Sequence, residues 1–184
     1  MKAARRIAGV RPPAYEQRMK GPPNEDVVDR LVDDWGREAP HLDAQGLQIV
    51  GRILLLGRNY MQEANDLVAP HGLTYSDWDV VATLKRSGPP YERSPEELRQ
   101  SVLLTSGAMT ACLHRLEKTG LVVRTEDPND GRRLAAKLTR KGHTLVDKLA
   151  PLRLAQTRQA VASLTTAERA ALTALLRKLV DSAG

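Results

Sequence analysis

The tightest constraint on this chain lies between residues 120 and 139. Gly120 is followed by Leu121, Val122 and Val123, the start of a strand that continues through Arg124, Thr125 and Glu126. Asp127-Pro128-Asn129-Asp130-Gly131 is then a dense turn signal. Pro fixes φ, Asn and Asp bond to their own backbone, and Gly accepts positive φ. Arg132 to Leu138 returns as a second strand, which makes a hairpin with basic residues beside its tip. An isolated two-stranded hairpin is marginal in water and needs a partner to pack against.

The partner is helical. Ser94-Pro95-Glu96-Glu97 combines a capping hydroxyl, Pro at the first helical position and acids in the first turn, which predicts a brief helix over 95–101. Thr105 or Ser106 opens the next, which reaches Thr119 and is closed by Gly120. On it, Met109, Leu113 and Leu116 fall on a core face, and Ser106, Gly107, Thr110, Ala111 and His114 fall opposite. Upstream, Thr74 or Ser76 starts a helix carrying Trp78, Val80, Val81 and Leu84 that ends before Gly88-Pro89-Pro90. Before the break at Pro70 and Gly72, a long helix is expected over 42–68, with a broad apolar face including Leu47, Val50, Ile53, Leu54, Leu56 and Leu67. That width fits either pairing with a second subunit or a central helix of a monomer. A shorter helix precedes it, capped by Asn24, bearing Val27, Val28, Leu31, Val32 and Trp35, and ended by Pro40. Thr139 caps a long helix that Pro151 interrupts or kinks, and a last helix runs from about Thr165 to Val180.

The expected fold is therefore mainly α with a small β-hairpin wing, a winged helix-turn-helix flanked by amino- and carboxyl-terminal helices. The divisions are a basic flexible arm over 1–23, helices over 24–72, the winged helix-turn-helix over 73–139 and helices over 140–184. With no Phe and only 3% aromatic residues, the core must be built from Leu, Val, Ile and Ala. The lone Cys112 excludes an intrachain disulfide and a multi-cysteine zinc site. His41, His71, His114 and His143 are scattered, and neither paired carboxylates nor a Gly-rich phosphate loop occur, so no catalytic, metal or cofactor site is expected. No run approaches the roughly 18 apolar residues of a bilayer span. The basic start has no apolar run behind it, so a cytoplasmic protein without a signal peptide is expected.

A formal net charge of +6 points to a polyanion but is unevenly spread. The local pattern says more. Residues 105–143 carry eight basic groups (Arg115, Lys118, Arg124, Arg132, Arg133, Lys137, Arg140, Lys141) against four acids (Glu117, Glu126, Asp127, Asp130). A major groove accepts one α-helix, and a two-stranded ribbon can reach the adjacent backbone or minor groove. The expected partner is thus double-stranded DNA. Its expected contacts are Ser106, Gly107, Thr110, Ala111, His114 and Arg115 from the helix, and Arg132 and Arg133 from the wing. Small residues permit close approach, Ser106 and Thr110 offer hydroxyls, and a wing arginine suits a narrow minor groove. Ser106 also serves as a cap on this reading. Asp130 is placed to clamp a wing arginine, and a solvated charged turn is the plain alternative. A protein-binding adaptor would carry the same fold with sequence-indifferent DNA binding.

Three runs then resemble the MarR family of bacterial winged-helix regulators: Leu113 to Arg124 (LHRLEKTGLVVR), Asp127 to Arg133 (DPNDGRR) and Leu138 to Gly142 (LTRKG). The resemblance implies a ligand-responsive regulator, typically a repressor, and places Arg132 as the characteristic wing arginine. It also implies a homodimer held by the first and last helices, and hence a pseudo-palindromic operator. The extra helix with Trp35, the segment Thr105 to Thr110 and Asp77-Trp78-Asp79 are similar to a branch that includes urate-responsive regulators. That likeness implies release from DNA by a small anionic or phenolic effector held by Trp35, Asp79 and Arg124. Cys112 stands where the branch commonly has an arginine. It offers an alternative switch, oxidant sensing through a thiol of low pKa.

Overall fold

The computed structural model describes residues 25–102, 106–127 and 130–182, and for 106, 126–127 and 130–134 it describes the backbone only. The arm expected over 1–23, and the side chains of Ser106, Arg132 and Arg133, lie outside the described residues. The chain divides into two compact units, the first ending at Met61 and the second beginning at Gln62.

In the first unit α1 spans Val27–Glu38. Its cap is Asp26, whose Oδ1 accepts the backbone N–H of Val28 at 2.7 Å and of Asp29 at 3.2 Å. In return the Asp26 N–H donates to Oδ2 of Asp29 at 2.9 Å, completing a capping box. The cap thus sits two residues beyond Asn24, where a second acid three residues on makes the reciprocal bond available. The next helix, α2, spans Leu47–Val68, not a segment from Leu42. Asp43 accepts the Gln45 N–H at 2.9 Å, and this local side-chain turn holds the backbone out of the helix until Leu47. Arg52 of α2 bonds Asp26 through Nε (2.9 Å) and Asp29 through Nη2 (2.7 Å). Beside it α1 lies so close that a Cβ on Gly51 would meet Val28 Cγ1 at 2.9 Å.

In the second unit, after a 3-10 turn at Ala69–His71, α3 spans Tyr75–Arg86 behind the Thr74 capping box. Strand β1 (Glu92–Arg93) leads into α4 (Pro95–Ser101), capped by Ser94 with Glu97 in reply. Helix α5 spans Ser106–Lys118, and Gly120 takes φ +71° to turn the chain out of it. Strands β2 (Val122–Asp127) and β3 (Asp130–Leu138) form the hairpin. The sheet order is β1-β3-β2, antiparallel throughout, with Glu92 opposite Lys137 and Val122 opposite Leu138. The strand β1 has no counterpart among the sequence expectations. Its two residues carry no alternation to detect, and they exist as strand because they pair on the free edge of β3.

Helix α6 spans Arg140–Ala160 and carries Pro151 inside it without stopping there; α7 spans Thr166–Ser182. The core of this unit joins Val80, Val81 and Leu84 of α3, Leu98 of α4, Leu116 of α5 and Leu149 of α6, each 1% exposed or less. Burying a side chain of this size stabilises by about 1.5–3 kcal/mol. At the far end of α3, Lys85 Nζ donates to His143 Nδ1 (3.1 Å) and pairs with Asp147 (2.8 Å), fastening α3 to α6.

Candidate nucleic-acid interface

Helix α5 has two faces of opposite character. Met109, Cys112, Leu113 and Leu116 are buried at 5% exposure or less. Gly107, Thr110, Ala111, His114 and Arg115 are exposed. A helix that spends one face on the core and leaves small and polar groups on the other has the shape that a major groove accepts. Its support is built in. The start of α6 approaches so closely that a Cβ on Gly142 would stand 2.4 Å from the Leu121 carbonyl oxygen. Thr139, the cap of α6, also donates through Oγ1 to the Gly120 carbonyl (2.8 Å), and Lys141 Nζ donates to the Thr119 carbonyl (2.6 Å). The carboxyl end of α5 is thereby clamped to α6.

Arg115 belongs on the exposed face by position, yet its guanidinium turns inward. Nη2 donates to Oδ1 of Asp77 at 2.8 Å, and Nε lies 3.4 Å from Oδ2. Asp77 is buried, with its side chain 2% exposed, and the Arg115 side chain stays 48% exposed. Burial pushes the Asp77 carboxyl up, but Arg115, the Thr74 backbone N–H, the Cys112 thiol and the Thr74 hydroxyl pull harder, and it is held below the usual range. No spacing rule links positions 77 and 115, so this pairing cannot be seen in the sequence. It ties α3 to α5 while leaving the Arg115 side chain half-exposed on the face expected to meet DNA.

The residues assigned to an effector are placed as follows. Trp35 is 46% exposed on α1 and lines an open groove of about 750 Å³ with Leu31, Asp34 and Arg37 among others. Asp79 is half-buried on α3, 3.9 Å from Arg86, and its burial raises its carboxyl pKa, with Arg86 offsetting part of the rise. Arg124 pairs with Glu117 (Nε to Oε2, 3.0 Å). Trp35 belongs to the first unit, and Asp79 and Arg124 to the second. Cys112 is fully buried, its Sγ 3.7 Å from the Ser76 carbonyl oxygen. Burial and the adjacent Asp77 carboxylate drive its thiol pKa upward, the opposite of the depressed value a reactive thiolate needs. Among the described residues no group of three or more His, Cys, Asp or Glu is arranged to hold a metal ion. No helix among them is long and apolar enough to cross a membrane.

Comparison with known proteins fits this geometry. Residues 71–133 match the MarR family. The chain is 32% identical to the homoprotocatechuate degradative operon repressor of Escherichia coli, over 62% of this chain and 75% of that one. It is 25% identical to the transcriptional regulator PecS of Dickeya dadantii, over 83% of this chain and 92% of that one. Among solved structures, it resembles a MarR family transcriptional regulator of Streptomyces coelicolor determined in complex with DNA. That likeness has a TM-score of 0.70 at 22% identity and covers 78% of this chain and 94% of that one. This fold, together with these relatives, places the chain among DNA-binding transcriptional regulators, which are not enzymes. The chain belongs to the MarR family. With that membership comes a homodimeric assembly. In the single chain α2 and α7 present wide apolar surfaces to solvent, with Leu54 68%, Leu175 62% and Val180 71% exposed.

Proposed function

We propose that this regulator is a repressor that binds a pseudo-palindromic operator as a homodimer and leaves it when a small anionic or phenolic molecule binds. The observation that carries the reading is the divided α5. Its buried face is fixed to the core, and its exposed face offers Gly107, Thr110, Ala111 and His114 to base edges. Ser106 lies at the amino end of the same helix, where free backbone N–H groups favour a phosphate. Arg132 and Arg133, on β3 just after the turn, are the wing contacts to an adjacent minor groove. Two reading heads related by a two-fold axis meet DNA about one helical turn apart, which is what makes the operator pseudo-palindromic.

For the effector, Trp35, Asp79 and Arg124 remain the proposed contacts. The likeness to the homoprotocatechuate degradative operon repressor of Escherichia coli supports a phenolic acid as the class. Footprinting on the region upstream of the protein's own gene tests the whole reading. The expected pattern is two protected half-sites about one turn apart that open on titration with one member of a phenolic, purine and oxidant panel. A footprint that no panel member alters contradicts the switch. A protein that protects no preferred sequence supports the adaptor alternative.

A further inference from the structure

Outside the residues assigned to DNA and to the effector, one further carboxylate is nearly enclosed. Glu92 belongs to the two-residue β1, and its side chain is 7% exposed. Enclosing a carboxylate costs stability unless it is paired and hydrogen-bonded, so its partners are informative. The Thr125 hydroxyl donates to Oε1, and Lys137 Nζ lies 3.6 Å from Oε2. Lys137 stands directly opposite Glu92 on the neighbouring β3. Thr125 is on β2, one strand further, so the carboxylate reaches across β3 to the strand beyond it. The residue of β3 opposite Thr125 is Ala135, whose methyl leaves that crossing open. All three strands thus meet at one carboxylate. Next to Thr125, Arg124 points to the other face of the sheet and pairs with Glu117 of α5 at 3.0 Å. The hairpin is therefore fastened at adjacent residues on both faces, to α5 through Arg124 and to β1 through Thr125. Strand β1 in turn runs directly into Ser94, the cap of α4.

We propose that Glu92 is a positioning residue for the wing. Backbone pairing joins β1 to β3 and β3 to β2. The carboxylate adds a direct tie from β1 to β2. Two-stranded ribbons twist more strongly than wider sheets, and this tie resists that twist at the base of the hairpin. It thereby sets the angle of the wing to α5, so that the helix and the wing meet a major groove and the adjacent minor groove together. Less of the hairpin then has to be ordered at the moment of binding. Glu92 is anionic and enclosed, so it acts through Thr125 and not by touching a phosphate. The consequence for DNA rests on the wing contacts of the proposed function; the tie itself does not.

The test is fluorescence anisotropy of the full chain on two duplexes from upstream of its own gene, one with A·T and one with G·C steps flanking each half-site. The parent is expected to prefer the A·T duplex, because a narrow minor groove attracts the wing arginines. Glu92→Ala is expected to lose that preference and to bind the A·T duplex about tenfold more weakly, while still discriminating it from a shuffled duplex. Thr125→Val removes the donated hydroxyl, keeps a good strand former and changes no charge, and is expected to lose the preference too. Glu92→Gln keeps an oxygen that accepts from Thr125 and is expected to retain it. The double variant Glu92→Ala/Thr125→Val should be no weaker than Glu92→Ala, since two changes to one bond do not add. Full preference in Thr125→Val overturns the role of Glu92 and leaves the wing contacts standing. Equal strengthening on both duplexes by Glu92→Ala and Glu92→Gln also overturns it, and makes Glu92 a source of charge repulsion alone. A parent indifferent to the flanking steps and to Arg132→Ala overturns the wing contacts, and the role of Glu92 with them.

Discussion

Arg115 and Asp77, 38 positions apart in sequence, meet through a 2.8 Å bond between Nη2 and Oδ1. The same carboxylate accepts the Thr74 backbone N–H (3.0 Å) and hydroxyl (2.8 Å) through Oδ2. One side chain therefore caps α3 and holds the reading helix. Replacing Arg115 by Gln leaves a buried carboxylate without its cation. The expected loss is about 1–3 kcal/mol, towards the low end because Arg115 is half-exposed. Urea unfolding measures it. Arg115 is also a proposed DNA contact, so the slope of DNA affinity against salt should fall by about one in the same variant. An unchanged slope would leave it the pairing with Asp77 alone.

The two aspartates of α3 respond to pH in opposite senses. The folded-state pKa of Asp77 lies below its usual 3.8, so its stabilising contribution is present above that pH and is lost as pH falls through the folded-state value. Asp79 is raised above 3.8, so its charged form costs stability above its folded-state pKa, and the cost vanishes below 3.8. Asp79→Asn should therefore raise the Tm at pH 7 and leave it unchanged near pH 3. If Asp79 also holds the effector, the same variant gains stability and loses the ligand response. A lower Tm at pH 7 would show that the pairing with Arg86 outweighs burial.

Gly142 permits the close approach of α6 to the end of α5. Alanine there places a Cβ 2.4 Å from a backbone oxygen and 2.6 Å from Leu138 Cδ1, and backbone cannot give way as a flexible side chain does. A loss of about 1–3 kcal/mol is expected from overpacking of this kind. Thermal melts of Gly142→Ala check it, and a melt matching the parent would show that α6 can shift away.

Cys112 should behave as a buried core residue. A thiol reagent is expected to label it slowly in the native protein and rapidly in urea, and peroxide is expected to leave DNA affinity unchanged. Rapid native labelling, or peroxide-dependent release of DNA, would reinstate the thiol switch.

Much of this architecture is legible in the chain because it is written locally. Thr74 with Asp77 and Ser94 with Glu97 are reciprocal caps three residues apart, and both helices begin where those pairs place them. The buried trio Met109, Leu113 and Leu116 follows from helical spacing alone. What escaped the sequence depends on contacts between distant segments. The two-residue β1 exists through β3, and the tie between α3 and α5 through the pairing of Arg115 with Asp77. The cap at Asp26 escaped for a different reason: Asn24 and Asp26 are both competent caps, and the choice rests on Asp29 and Arg52 together.

On the proposed function, the exposed face of α5 is the part that reads DNA. Fluorescence anisotropy of the full chain decides it, comparing DNA from upstream of its own gene with a shuffled duplex of the same composition, for the parent and for Ala111→Glu. The account predicts a preference of roughly a thousandfold or more for the upstream DNA in the parent. It also predicts that Ala111→Glu, exposed and remote from the core, abolishes that preference while melting like the parent. Equal affinity of the parent for both duplexes, or undiminished preference in Ala111→Glu, would contradict it.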